Sequence, residues 1–230
     1  MAVALREAAE RIGVSQRRAR AMIAAGQLEA EKVGGRWVVD PESLDRVAAA
    51  RRRDGPPWTP LLAWAYLLCR DGDPNAFDGL SRVSRHRVRQ RAGASLALDE
   101  LAALALRRAE VWRCRAHPSV IDELLDAGVA SGLSAAAALG VGLGVRPGEH
   151  ADVYLPWSRA QQLVDELALA PARGADVNAI VRVVPESAWR LGRRKVAPVL
   201  AVALDLAEHD DPRSREAAAH LARRVEAVDG

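Results

Sequence analysis

The chain has 230 residues, half of them apolar, with a formal net charge of +3 and two cysteines. That length and apolar content suit two small domains and exclude wholesale disorder, and no uninterrupted apolar run is long enough to span a bilayer. Cys69 and Cys114 have neither a CxxC spacing nor neighbouring histidine pairs, so the expectation is a reduced, cytoplasmic protein with no metal site, no cofactor and no membrane partner.

Charge is unevenly spread. Residues 1–53 hold 11 Lys+Arg against 7 Asp+Glu, a net of +4, so the remainder is close to neutral. Arg6, Glu7, Glu10 and Arg11 interrupt any amino-terminal signal pattern. Instead Leu5, Ala8, Ala9 and Ile12 recur at i, i+3, i+4 and i+7, one apolar face of a helix. Gly13 ends it, and Ser15 is placed to cap a second helix with Val14 before it as a staple residue. In that second helix Ala19, Met22 and Ile23 face the first. Arg17, Ala21 and Ala24 point the opposite way, flanked by Arg18 and Arg20, and Gly26 closes the helix.

Two short helices joined by a tight turn make a helix-turn-helix pattern. Small Ala21 and Ala24 let the helix axis approach a ligand closely, while the arginine fork suits a guanine edge or a phosphate. The Ser15 end also favours phosphate, as helix amino termini do. Leu28–Val33 and Arg36–Val39 then read as strands joined by Gly34-Gly35, a strong hairpin signal, with Lys32 and Arg36 flanking its tip. Trp37 is expected to cover the small core, and Asp40-Pro41 to cap a helix with Leu44 and Val47 inward.

Residues 51–60 (RRRDGPPWTP) read as a linker, and Leu61–Leu68 as a buried helix. LSRVSRHRVRQRA, residues 80–92, carries five arginines and no acid. A cap at Ser81 or Ser84 would start a helix there with Val83 and Val88 inward. That segment is either a solvated linking helix or a second phosphate-contacting surface using Arg82, Arg85, Arg87 and Arg89. Helical periodicity extends the next predicted helix from Leu96 to Arg113, with Trp112 and Cys114 as core residues.

Further on, the expected elements are a short helix over 120–127, a small-residue helix over 131–143, and strands at 151–156 and 177–185. A helix over 158–169 lies between those strands. A buried helix or strand follows at 197–206, then a helix capped by Asp211-Pro212 and running to Val225. Catalytic patterns fail on inspection. Gly140, Gly142 and Gly144 match neither GxGxxG nor a P-loop, and Gly132-Leu133-Ser134 lacks the last glycine of a hydrolase elbow. An Asp-x-Asp pair starting at Asp152 would need a carboxylate where Tyr154 stands, and in His209-Asp210-Asp211 the last residue is better explained as a cap.

The predicted fold class is α+β. It comprises an N-terminal winged helix-turn-helix over 1–50, a linker over 51–60, a helical connector with the basic segment over 61–116, and a C-terminal mixed α+β domain with a small sheet over 117–230. Residues 4–48, LREAAERIGVSQRRARAMIAAGQLEAEKVGGRWVVD above all, resemble the winged helix-turn-helix of the excisionase and MerR families. The resemblance implies that the second helix enters the major groove and the wing touches backbone. By position, Ser15, Gln16, Arg17, Arg18 and Arg20 would contact DNA from the helix, and Lys32 and Arg36 from the wing. Nothing after Arg53 resembles the long dimerising helix of MerR regulators, so effector sensing of that kind is not implied.

HPSVIDELLDAGVASGLSAAAALGV, ADVYLP, IVRVVP and VAPVLAVALDLAEHDDPRSREAAAHLARRV are similar to the carboxy-terminal part of abortive-infection type IV (AbiEi-like) antitoxins, over about residues 117–225. That implies an autorepressor binding double-stranded DNA at its own promoter, at inverted repeats, and a functional partner toxin of nucleotidyltransferase type. The expected function is thus a sequence-specific, non-enzymatic transcriptional regulator acting as an antitoxin. The alternatives are an excisionase-like architectural DNA-binding protein, or an enzyme using the carboxy-terminal domain. The sequence leaves the oligomeric state open.

Overall fold

The computed structural model describes residues 3–51, 57–94, 96–144, 146, 148–192, 194–209 and 211–228. Residues 52–56 of the expected linker, and Asp210, lie outside the described residues. The chain divides into two units, Met1–Pro56 and Pro57–Gly230.

The first unit runs β1 (Val3–Ala4), α1 (Leu5–Arg11), α2 (Gln16–Ala24), β2 (Ala30–Val33), β3 (Arg36–Val39) and α3 (Pro41–Arg51). Leu5, Ala8, Ala9 and Ile12 are buried with Ala19 and Met22, so the two apolar helix faces meet as their spacing requires. Both helices end in the same way. The Val14 amide donates to the Ala9 carbonyl and the Gly13 amide to that of Glu10, with Gly13 at a φ of +66°. Gln27 and Gly26 donate in the same pattern to Met22 and Ile23. These are paired Schellman closures, and each needs a residue that tolerates the left-handed conformation.

Val33 pairs with Arg36, leaving Gly34-Gly35 as a two-residue loop with both φ values positive, the requirement of a type I′ turn. Strand β3 also pairs with β1, so the sheet order is β1-β3-β2. No strand was expected at Val3–Ala4, because two residues are too short to show a period. Asp40 caps α3 by accepting from the Ser43 amide at 2.7 Å, and Ser43 Oγ accepts from the Glu29 amide at 2.9 Å. The cap thereby ties α3 to the chain entering the hairpin.

The second unit begins with α4 (Pro60–Arg70), α5 (Arg82–Ala92) and α6 (Leu98–Leu104), followed by β4 (Glu110–Arg115), α7 (Ile121–Ala127), β5 (Val129–Ala130), α8 (Gly132–Ala136) and β6 (Ala151–Pro156). It continues through α9 (Trp157–Glu166), β7 (Ala170–Pro171), β8 (Ala179–Val184), α10 (Val199–Ala207) and α11 (Pro212–Val228). Its sheet has the order β5-β6-β8-β4-β7, with β6 and β8 parallel and the remaining pairs antiparallel.

Strands β6 and β8 are buried on both faces, and their period-2 alternation sorts the side chains. Ala151, Val153, Leu155, Ala179, Val181 and Val183 join one core with Ile121 and Leu124 of α7 and Ala160 and Leu163 of α9. Tyr154 and Val184 face the other core, built from α4, α10 and α11. Mixed helices and sheets of this kind agree with the expected α+β class.

Three expectations are corrected. The helix predicted over 96–113 ends at Leu104, and Glu110–Arg115 is a strand paired with β8. Trp112 and Cys114 alternate inward with charged residues between them, a short strand signal that the helical period of the preceding leucines overrode. The chain crossing the expected boundary at 116–117 is therefore continuous with the sheet. Val83 is 61% exposed while Val88 is buried. Residues five apart on a helix sit about 140° apart, so both cannot face one core. Finally, helix α8 covers only Gly132–Ala136, and the expected helix to Leu143 is stopped by Gly140 in the left-handed region.

Replacing Asp40 by Ala removes the α3 cap and should lower the stability of the first unit by about 1 kcal/mol, read from urea unfolding.

Candidate nucleic-acid interface

The side chains expected to meet DNA lie on α2 and the hairpin. Ser15 Oγ accepts from the Arg18 amide at 3.2 Å and so fixes the start of α2. With Ala19 and Met22 buried and Ile23 half-buried, the opposite face presents Arg17, Ala21 and Ala24, with Arg20 and Arg18 on its two sides and Gln16 at its start. All six are exposed. Among the described residues no carboxylate pairs with Arg17, Arg18 or Arg20, whereas Arg6 and Arg11 are held by Glu10 and Asp45.

At the hairpin, Lys32 pairs with Trp37 and Arg36 with Val33. Cross-strand partners share a face, so the exposed Lys32 and Arg36 stand on opposite faces of the wing rather than side by side. The other expected contacts, Arg82, Arg85, Arg87 and Arg89, are exposed on α5 in the second unit, where Ser81 Oγ accepts from the Ser84 amide to cap the helix. The Arg89 guanidinium lies over the Phe77 ring at 4.8 Å from its centre.

Residues 5–52 match the family model of a helix-turn-helix domain. The match covers α1, α2, the hairpin and α3, and it supports a DNA-binding regulatory role for the chain. No curated protein and no solved structure matches the chain.

The second unit holds a group of charges that sequence inspection did not find. Arg182 on β8 donates to both oxygens of Asp152 on β6, at 2.7 and 3.1 Å. Its Nη1 also lies 3.0 Å from Asp205 Oδ1 and 2.6 Å from Glu208 Oε2. Arg108, in the turn between α6 and β4, reaches the same two carboxylates at 2.5 and 2.6 Å and donates through Nε to Tyr154 Oη at 3.0 Å. Tyr154 donates to Asp205 Oδ1 at 2.9 Å, and Ser131 Oγ donates to Asp205 Oδ2. Each carboxylate oxygen of Asp152, Asp205 and Glu208 thus accepts from at least one donor.

Gly132, at a φ of +44°, lies against the Asp152 carboxylate, and a Cβ there would overlap it. His209 Nε2 lies 3.7 Å from Asp152 Oδ2, and His150 packs against the His209 ring at 6.4 Å between centres. Among the described residues, no group of three or more His, Cys, Asp or Glu is placed to hold a metal ion, and no helix is long and apolar enough to cross a membrane.

The environment sets the protonation of these groups. Burial disfavours the Asp152 carboxylate, but the Arg182 guanidinium and the His209 ring outweigh it and hold its pKa below the ordinary value. Glu208 is likewise held well down by Arg108 and Arg182 against the cost of desolvation. For Asp205 burial wins and its pKa is raised. Burial lowers the pKa of His150 despite the pull of Asp152.

Two outcomes follow from these shifts. A histidine with a depressed folded pKa leaves the unfolded chain binding more protons just below pH 6.5, so stability should fall as pH drops from 7.5 to 5.5. His150→Gln should flatten that part of the urea midpoint profile, while the later loss below about pH 4.5, from Asp152 and Glu208, persists. Arg182→Met leaves buried carboxylates uncompensated and should cost the second unit about 3–5 kcal/mol by the same measurement.

Proposed function

We propose that the protein is a sequence-specific, non-enzymatic regulator that represses its own promoter, and that it acts as the antitoxin of a type IV toxin–antitoxin pair. The observation that carries the DNA-binding part is the cationic face of α2, which no carboxylate among the described residues pairs with, centred on Arg17 between the small Ala21 and Ala24. A helix enters the major groove when its exposed face carries side chains small enough for close approach and long forked donors beside them. In this reading Arg17 meets a base edge near the amino-terminal half of the helix, and Gln16, Arg18 and Arg20 meet neighbouring bases or phosphates. The wing straddles backbone through Lys32 on one face and Arg36 on the other.

The antitoxin part is supported by the resemblance of residues 117–225 to AbiEi-like antitoxins, and it assigns the second unit to countering a toxin of nucleotidyltransferase type. The ionic group around Asp205 reads as structural, because every carboxylate oxygen in it already accepts a hydrogen bond.

Fluorescence anisotropy with the DNA upstream of its own reading frame, beside a scrambled duplex, tests the operator reading. Arg17→Ala should weaken binding to the native duplex about 5- to 150-fold, corresponding to about 1–3 kcal/mol, and reduce discrimination between the two. Equal binding of both duplexes by the unmodified protein would sink the operator. Strong bending of the duplex without repression of a reporter would point instead to the architectural role of an excisionase.

A further inference from the structure

Helix α5 is the largest charged feature that the helix-turn-helix domain does not account for. Its 11 residues, RVSRHRVRQRA, include no acid. Among the described residues no carboxylate pairs with Arg82, Arg85, Arg87 or Arg91, and Arg89 is occupied by Phe77. Arginines at the 82/85, 85/89 and 87/91 spacings are neighbours on the helix surface, so their repulsion stands uncompensated. A solvated linking helix ordinarily mixes signs along its face. This one does not.

The arginines are also sorted. At about 100° per residue, Arg82, Arg85 and Arg89 run along one flank and Arg87 and Arg91 along the other, with the buried Val88 between them on the inner side. The crest pointing away from the core consists of Val83, His86 and Gln90, all exposed. On α2 the outward face has alanines, which permit close approach. The bulkier crest of α5 keeps its axis further from a ligand, while long arginines on both sides can still reach outward. Two cationic rows with no anion of their own complement two rows of phosphates, and this chain already carries a DNA-binding domain.

We propose that α5 is a second contact surface for duplex DNA, carried by the Pro57–Gly230 unit, which takes phosphates and adds affinity without sequence preference. The proposal rests on the DNA-binding reading above. Arg82, Arg85, Arg87 and Arg91 make the contacts, and Arg89 contributes less because it stacks on Phe77.

The test measures binding of the full chain to its own upstream duplex and to a scrambled duplex across a potassium chloride series. The proteins compared are unmodified, Arg17→Ala, the triple change Arg82→Ala, Arg85→Ala, Arg87→Ala, and the same three positions changed to Lys. Circular dichroism confirms that each variant is folded. The triple alanine variant should weaken on both duplexes by the same factor, and its log–log salt slope should be shallower by about 2.7, roughly 0.9 per phosphate released. Its affinity loss between about 50 and 200 mM salt then shrinks roughly 40-fold relative to the unmodified protein. The lysine variant should keep the original slope, because a point charge suffices for a phosphate. If the triple alanine variant keeps the original affinity and slope while Arg17→Ala weakens, α5 does not touch DNA, and the surface is left to an acidic protein. A loss confined to the native duplex would overturn the phosphate assignment. If the unmodified protein binds neither duplex, the operator reading fails and this inference fails with it.

Discussion

The second unit is organised around the buried carboxylate of Asp205. Asp205 sits in α10, a helix that is otherwise apolar over Val199–Ala207 and buried nearly throughout. An isolated carboxylate in such a place would cost several kcal/mol, so it must be met by donors from whatever packs on that helix. Those donors come from four places in the chain: Ser131, Tyr154 on β6, Arg182 on β8 and Arg108 after α6. Apolar side chains would tolerate α10 sliding along the sheet. Four donors converging on one carboxylate do not, so the ion sets the register in which helix and sheet meet. Trp64 braces the arrangement from α4, donating to the Arg108 carbonyl at 3.0 Å and packing edge-on against Tyr154.

The first unit works on a different principle. Its core is small, and its fixed geometry comes from the chain's turning points: two Schellman closures, a glycine hairpin and the Asp40 cap. Those devices are local, and they leave one helix face free of structural duty. Among the described residues no acid pairs with the cations on that face, while Arg6 and Arg11, away from it, are engaged by acids. The stability of this unit thus rests on residues other than those cations.

This difference explains what was legible in the sequence. Local devices leave local signatures: Gly13, Ser15, Gly26, Gly34-Gly35 and Asp40-Pro41 each announce a turn or cap by residue type alone, and the helix-turn-helix was readable for that reason. The opposite faces of Lys32 and Arg36 follow from the register that the two-residue Gly34-Gly35 loop imposes, one step beyond reading residue types. The ionic group around Asp205 joins residues up to 100 positions apart, and no spacing rule reaches that far. A signal did exist in each partner taken alone. Asp152 in ADVYLP, Arg182 in AIVRVV and Asp205 in VLAVALDLA are single charges inside apolar runs, and a charge so placed must be buried and therefore paired. Strand β4 was missed because Ala, Leu and Arg before it prolonged a helical period into residues whose own alternation is that of a strand.

Gly132 shows how far one atom's worth of space matters. Its missing side chain is the room in which the Asp152 carboxylate lies. A methyl group there would not simply crowd a loop. It would push the acid off Arg182, which also serves Asp205 and Glu208, and so disturb α10 at Asp205, more than seventy residues further along the chain. Position 132 is therefore expected to be a genetic weak point: its tolerance for change is set by chemistry encoded elsewhere, and a suppressor of damage at 132 should arise at Asp152, whose side chain fills its space, rather than beside it.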